Sequence, residues 1–262
     1  MMQLASTPKP KRNDDTRKHA MHNLLENAWV RTLIAGAVFA LLVLPMHNNR
    51  AVCQEPDGPP TGFHEDAKLK ASRHQLAEIG KAMQKYEKAN GRFPPRAIFD
   101  KSGKPLLSWR VLLLPYLGQE ELFKQFKLDE PWDSPHNKAL IARMPAVFRN
   151  PNDPAASTQT NYLAPVGPGT IFEGTKGLER AKLAHAAQFT VLLVEVNRDA
   201  EVDWTKPQDL PYTREKPGRG LFHYRPDGFL ATMADGHSVL FTRSSDVEML
   251  KFVFAYGARQ DQ

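Results

Sequence analysis

The spacing of the apolar residues changes once along this chain, and that change restricts the fold more than any other feature. Two rows recur at intervals of seven residues: Leu69, Leu76, Met83 and Ser72, Ile79, Tyr86. Together they form one stripe at helical period, which predicts a long amphipathic helix. From residue 145 onward the apolar residues alternate or form short runs, as in strands. A long N-terminal helix packed on a mostly antiparallel β-sheet is an α+β fold.

Turn-forming residues mark the ends of these elements. Gly91 suits the left-handed residue that ends a helix, and Pro94 and Pro95 prevent its continuation. The stretches "SWRVLLLPYL" and "QEELFKQF" predict short helical turns, the first interrupted at Pro115. The stretches "TNYLAPVG" and "FTVLLVEV" predict strands, the second buried on both faces.

The clearest hairpin of the chain is "GFLATMADGHSVLFT". Its two alternating runs are joined around Asp235 and Gly236, a pair favoured in tight turns. The stretch "SSDVEMLKFVFAYG" predicts a closing helix, with Ser244 or Ser245 as its cap.

An uncharged run from Leu33 to Leu44 predicts contact with the lipid bilayer. Basic residues precede the run, which keeps the N-terminal side in the cytoplasm. Twelve residues is the length of a signal-peptide core, whereas a spanning helix needs about 20. A retained single-pass anchor is preferred, and a signal cleaved near Gln54 or a lipid anchor on Cys53 stay open. All three place the remaining chain outside the inner membrane.

Composition suggests four segments. Residues 1–28 are polar and basic, which predicts a disordered cytoplasmic tail. Residues 29–46 are the predicted transmembrane anchor or uncleaved signal. Residues 47–63 are rich in Pro, Gly and Asn and predict a linker. Residues 64–262 are the predicted extracytoplasmic domain.

Charge and cysteine content exclude two classes of site. The formal net charge is +6, but the basic residues after the tail are interspersed with acids. A nucleic-acid surface needs a clustered basic stripe with aromatic residues, so no nucleic-acid partner is predicted. Cys53 is the only cysteine, which rules out an intrachain disulfide and a thiolate metal cluster.

Six stretches of the chain carry a resemblance to a known family. They are "YEKANGRFPP", "SWRVLLLPYLGQEELFKQFKLDEPWDSPHNKAL", "MPAVFRNP", "VGPGTIF", "VDWTKPQDLPY" and "FLATMADGHSVLF". In this order they resemble the bacterial prepilin-like family called domain of unknown function 1559, also labelled solute-binding-like, over residues 68 to 255. The resemblance implies a pilin-like fold, with a membrane-emergent helix packed on an antiparallel sheet. It implies no activity.

The loop "LDEPWDSPHNKAL" concentrates polar side chains. Asp129, Glu130 and Asp133, with His136 nearby, offer oxygen ligands of the kind that Ca²⁺ prefers. The preferred interpretation is structural: Ser134 caps a short helix whose first residue is Pro135.

Three other residues are candidate ligand contacts. Trp132 and Trp204 lie in Pro-rich loops where an aromatic ring can line a groove, although a place over the core is preferred. Glu195 lies inside an apolar run, so it is either the partner of a buried Arg or a ligand contact. His185, His223 and His237 lie in the β-rich half and would form a metal or hydrolytic site only if they converged.

These observations favour a membrane-anchored extracytoplasmic protein that acts through contacts with protein partners at the cell envelope. The chain has no nucleophile elbow, zinc-protease motif, phosphate loop or dinucleotide fingerprint, so no enzymatic activity and no cofactor is predicted. A solute-binding module and a hydrolase that uses the histidines are the alternatives.

Overall fold

The computed structural model describes residues 67–256 of the 262-residue chain. The chain divides into two compact units, Met1–Pro59 and Pro60–Gln262, and the described residues lie in the second. The predicted tail, the apolar run from Leu33 to Leu44 and the linker therefore lie outside the described residues. Within residues 67–256, no helix is both long and apolar enough to cross a membrane.

The first described element is the helix α1 (Ala67–Asn90). Its predicted stripe faces the protein interior: Leu76, Ile79 and Met83 have no exposed surface. The helix ends as predicted, because Gly91 adopts φ +75° and its N–H donates to the Glu87 carbonyl at 2.7 Å.

Short elements follow. The further helices are α2 (Trp109–Leu112), α3 (Glu120–Phe123), α4 (Pro135–Ala139), α5 (Arg180–Leu183) and α6 (Val247–Phe254). Short 3₁₀ helices lie at Leu114–Leu117, Ile141–Arg143, Ala146–Phe148, Ala184–Phe189 and Arg198–Ala200. The strands are β1 (Ala97–Phe99), β2 (Pro105–Ser108), β3 (Gln159–Thr160), β4 (Tyr162–Leu163), β5 (Pro165–Val166), β6 (Val191–Glu195), β7 (Val202–Asp203), β8 (Leu210–Pro211), β9 (Gly228–Met233) and β10 (Ser238–Thr242).

The main sheet has four antiparallel strands in the order β10-β9-β6-β4. Strand β6 is buried along its whole length, as its continuous apolar run predicts. Side chains of the sheet contribute to two apolar clusters: Leu230 belongs to the cluster that contains the α1 stripe, whereas Phe229 and Ala231 belong to the one that contains Leu250 of α6. The helices α1 and α6 therefore contribute to different apolar clusters of the sheet.

The helix α1 approaches the sheet closely at Gly80. A Cβ atom at this position would lie 2.8 Å from the Thr232 Cγ2 atom of β9. Glycine at this point therefore allows the close approach, and a larger residue would require the Thr232 side chain or the helix to shift.

The β9–β10 hairpin is where the sequence predicts it. Its turn runs from Met233 to Gly236, whose N–H donates to the Met233 carbonyl at 2.8 Å, and Gly236 adopts φ +94°. The predicted cap of the closing helix is wrong. Asp246, adjacent to α6, caps it by accepting from the Glu248 N–H at 3.0 Å, whereas the Ser244 hydroxyl pairs with Thr242.

The described residues therefore form an α+β fold, with mostly antiparallel strands. Two further pairs, β1–β2 and β3–β7, are antiparallel, and β5–β8 is parallel.

Candidate functional site

The end of strand β6 carries a buried polar network. Glu195 has no exposed side-chain surface and forms a bidentate ion pair with Arg225, whose Nη2 lies 2.9 Å from Oε1 and whose Nε contacts Oε2. The same Nη2 donates to the Ser72 hydroxyl of α1 at 3.0 Å. Asn150 donates to the Glu195 Oε1 at 2.7 Å. The network therefore joins α1 to the sheet through one guanidinium.

Beside this network is an open cleft of about 430 Å³. Its lining residues are Lys68, Asn152, Arg198, Tyr224, Arg225 and Pro226. The guanidinium carbons of Arg198 and Arg225 each lie 5.5 Å from the centre of the Tyr224 ring. Cation–π attraction therefore holds both cations to one aromatic ring.

Two buried carboxylates lie against Arg198. Its Nη1 is 3.1 Å from the Asp153 Oδ1 and 3.9 Å from the Glu201 Oε1. The Asp153 side chain is 2% exposed and that of Glu201 11%, whereas Arg198 is 56% exposed. Burial raises the pKa of Glu201, and repulsion by Asp153 raises it further.

Tyr224 is held as a neutral phenol at the edge of the cleft. Its hydroxyl donates to the Asn150 Oδ1 at 2.6 Å and accepts from the Asn152 Nδ2 at 2.9 Å. Burial raises the pKa of Tyr224 to about 12. The cleft can therefore offer guanidinium N–H donors to a bound group, while the Tyr224 hydroxyl stays protonated near neutral pH and both amide hydrogens of Asn152 are donated to Asn150 and Tyr224.

A second buried ion pair lies elsewhere in the fold. Arg110 of α2 has no exposed surface, and its Nη2 lies 3.0 Å from the Asp209 Oδ1. Asp209 also accepts from the Trp109 Nε1 at 3.1 Å and the Ala164 N–H at 2.9 Å. Burial raises the pKa of Asp209, and these donors oppose the shift. The pair ties α2 to the residue before β8, and Asp209 also holds the backbone between β4 and β5.

The three candidate ligand contacts have different polar or cationic partners. Glu195 has the buried Arg partner that the sequence suggested. Trp204 lies fully in the core, where its ring stacks on Phe148 at 5.9 Å and its Nε1 donates to the Ile141 carbonyl at 2.8 Å. Trp132 is half-buried, with the Lys206 ammonium 5.6 Å from its ring.

The acidic loop is organised by an amide. Ser134 caps α4 by accepting from the Asn137 N–H at 3.2 Å, with Pro135 as the first helical residue, as predicted. Asp129 and Asp133 are exposed, and Glu130 contacts Lys127 at 2.9 Å. The buried side chain of Asn137 bonds the backbone at four points: the N–H and carbonyl of Lys127 and the carbonyls of Glu130 and Pro131.

We expect Ser134→Ala to lower the unfolding free energy by about 1 kcal/mol, the usual effect of losing a cap oxygen. Asn137→Ala should cost more, about 2–3 kcal/mol, because four backbone groups lose their partner. Asp129→Ala should change little, because the carboxylate is exposed. Urea unfolding of the parent and these three variants gives the differences, and thermal unfolding of the parent and Asp133→Ala is followed with and without calcium. A calcium-dependent rise in the melting temperature that Asp133→Ala abolishes would contradict the structural interpretation.

The described histidines have separate partners. The His237 Nδ1 lies 2.5 Å from the Asp235 Oδ1, and the His223 Nδ1 lies 3.4 Å from the Asn197 Nδ2. The side chain of His185 is outside what the structure describes. Among the described residues, no group of three or more His, Cys, Asp and Glu side chains is placed to hold a metal ion.

Sequence reasoning missed Arg198, Tyr224 and Arg225. Their signal is present but weak: Tyr224 and Arg225 stand together in the turn-rich "FHYRPDG", and Arg198 closely follows the strand that carries Glu195. A buried Glu195 requires a cation, but spacing does not indicate which one.

The comparisons with known proteins give one match. The model of a family described as protein of unknown function, DUF1559, matches residues 70–191, which confirms the resemblance over that range. The match runs from α1 to the first residue of β6. No curated protein and no solved structure matches the chain significantly.

Proposed function

We propose that this chain is a membrane-anchored extracytoplasmic protein that acts through contacts with envelope partners. The observation that carries the proposal is the uncharged run from Leu33 to Leu44, preceded by basic residues and followed by a Pro- and Gly-rich linker. The second compact unit begins at Pro60, within the predicted linker, and its first described element is α1.

A pilin-like arrangement is part of this proposal. The long helix α1 packs its stripe on strands β6, β9 and β10, and Arg225 joins Ser72 of the helix to Glu195 of the sheet. A helix fixed along its length to an antiparallel sheet supports a rigid module held by its N-terminal side.

The buried ionisable groups support a role in contacts. Glu195 and Arg225 join the helix to the sheet, and Arg110 and Asp209 join two parts of the core. These pairs therefore connect separate parts of the fold, in agreement with a protein that acts as a platform.

Membrane extraction tests the anchor. We expect the full chain, expressed in a bacterium, to stay in the membrane after a carbonate wash and to keep its N-terminal residues. Val38→Asp, a charge near the middle of the run, should release the protein or prevent its export, because a charge at the bilayer centre is costly. Val52→Asp, the same change outside the run, is the matched control. A mature N-terminus near Gln54 would show cleavage and contradict the anchor.

Crosslinking in the native membrane tests the contacts. An interaction module is expected to give discrete crosslinked species larger than the monomer, and Val38→Asp should remove them. Only monomer at every crosslinker concentration would argue against this role.

The solute-binding alternative is favoured by one observation, the cleft lined by Arg198 and Arg225.

A further inference from the structure

We infer that the cleft between Arg198 and Arg225 binds a small oxyanion, a phosphate or carboxylate group, next to the Tyr224 ring. The inference gives the solute-binding alternative a site and a ligand class, and it does not depend on the membrane anchor. It uses none of the residues that the sequence suggested as ligand contacts except Glu195, which acts only through Arg225.

The first support is the set of N–H donors on the two arginines that line the cleft. Among the described residues, the hydrogen bonds of Arg225 run through Nε and Nη2, which leaves Nη1 for a ligand. The ion pairs of Arg198 run through Nη1, which leaves Nε and Nη2. Guanidinium groups bind phosphate and carboxylate with parallel N–H···O bonds, so two of them at one cleft suit an oxyanion.

The second support is that each carboxylate at the cleft is more deeply buried than the arginine it pairs with. The carboxylates of Glu195, Asp153 and Glu201 are 0%, 2% and 11% exposed. The cations above them are more exposed, at 56% for Arg198 and 12% for Arg225, and exposed Lys68 adds a third. A ligand in the cleft meets the cations first, and Glu195 holds Arg225 in place through two hydrogen bonds.

The third support is the rigidity of the cleft. The Tyr224 ring lies 5.5 Å from both guanidinium carbons, and its hydroxyl is held by Asn150 and Asn152. Donors held in place before binding lose less conformational entropy when the ligand arrives, which favours binding of a small anion.

The test uses the full chain, purified in a maltoside detergent that carries no phosphate. Thermal unfolding is followed during titration with inorganic phosphate, with acetate, and with sodium chloride at equal ionic strength. We expect a saturable rise in melting temperature with phosphate or acetate that exceeds the rise with chloride. Arg198→Gln should abolish the excess, whereas Arg214→Gln, the same change at another exposed arginine, should keep it.

A second variant guards against a folding defect in Arg198→Gln. Lys68→Gln removes an exposed charge at the cleft and should raise the half-saturating anion concentration about threefold to tenfold, as loss of a partly screened charge would. Equal curves for the parent, Lys68→Gln and Arg198→Gln would overturn the inference, and so would no excess over chloride.

The same assay distinguishes two sources of the oxyanion, a lipid headgroup and a free solute. Dihexanoyl phosphatidylglycerol, used below its micelle concentration, carries the phosphate as a lipid headgroup. Half-saturation at a lower concentration than inorganic phosphate, with the same loss in Arg198→Gln, would support a headgroup. The opposite order would support a free solute. If the carbonate wash released the chain from the membrane, the anchor would be refuted. The anion titrations would still test the cleft, because they do not depend on the anchor.

Discussion

Asp209→Ala is expected to lower the unfolding free energy by about 3–5 kcal/mol, the usual effect of removing one partner of a buried ion pair. The change leaves Arg110, which has no exposed surface, without its counter-charge. It also removes the acceptor for the Trp109 indole N–H and the Ala164 backbone N–H. Urea unfolding of the full chain, followed by tryptophan fluorescence, measures the loss.

Two controls define this result. Asp209→Asn keeps the shape and one acceptor oxygen but removes the charge, so its loss should be smaller than that of the alanine variant. Glu121→Ala breaks an exposed ion pair with Lys124, in which both side chains are more than half exposed, and should change stability little. Equal losses for Asp209→Ala and Glu121→Ala would contradict a structural role for the buried pair.

Leu76→Asp is expected to be at least as destabilising. Leu76 has no exposed surface at the centre of the α1 stripe. Truncation of a buried leucine costs about 2–5 kcal/mol, and a carboxylate without a partner adds to that cost. Thermal unfolding and protease resistance of the full chain measure the effect.

Lys85→Asp is the matched control for this change, since it introduces the same residue on the exposed face of α1. It should leave the melting temperature close to that of the parent. If Leu76→Asp also melted as the parent does, the stripe would not be packed on the sheet.

Local signals predicted local structure well. The stripe of α1, its end at Gly91, the β9–β10 hairpin and the Ser134 cap each depend on residues within one or two turns of one another. The wrong cap of α6 shows the limit of such signals, because Asp246 and Ser245 are both good caps and only the position of the first helical turn decides between them.

The polar networks were beyond sequence reasoning because they join distant parts of the chain. Arg110 and Asp209 are 99 positions apart, and Arg225 and Ser72 are 153 apart. A buried Glu195 requires a cationic partner, but the sequence contains several arginines that could be that partner. Only the packed fold selects Arg225, and with it the cleft.

Asn137 has a consequence for how this surface can evolve. One side chain bonds the backbone at Lys127, Glu130 and Pro131, so the path of the loop does not depend on its exposed carboxylates. Asp129 and Asp133 can accordingly be exchanged for neutral or basic residues while the loop keeps its path. The charge of this surface can therefore change without a change of fold.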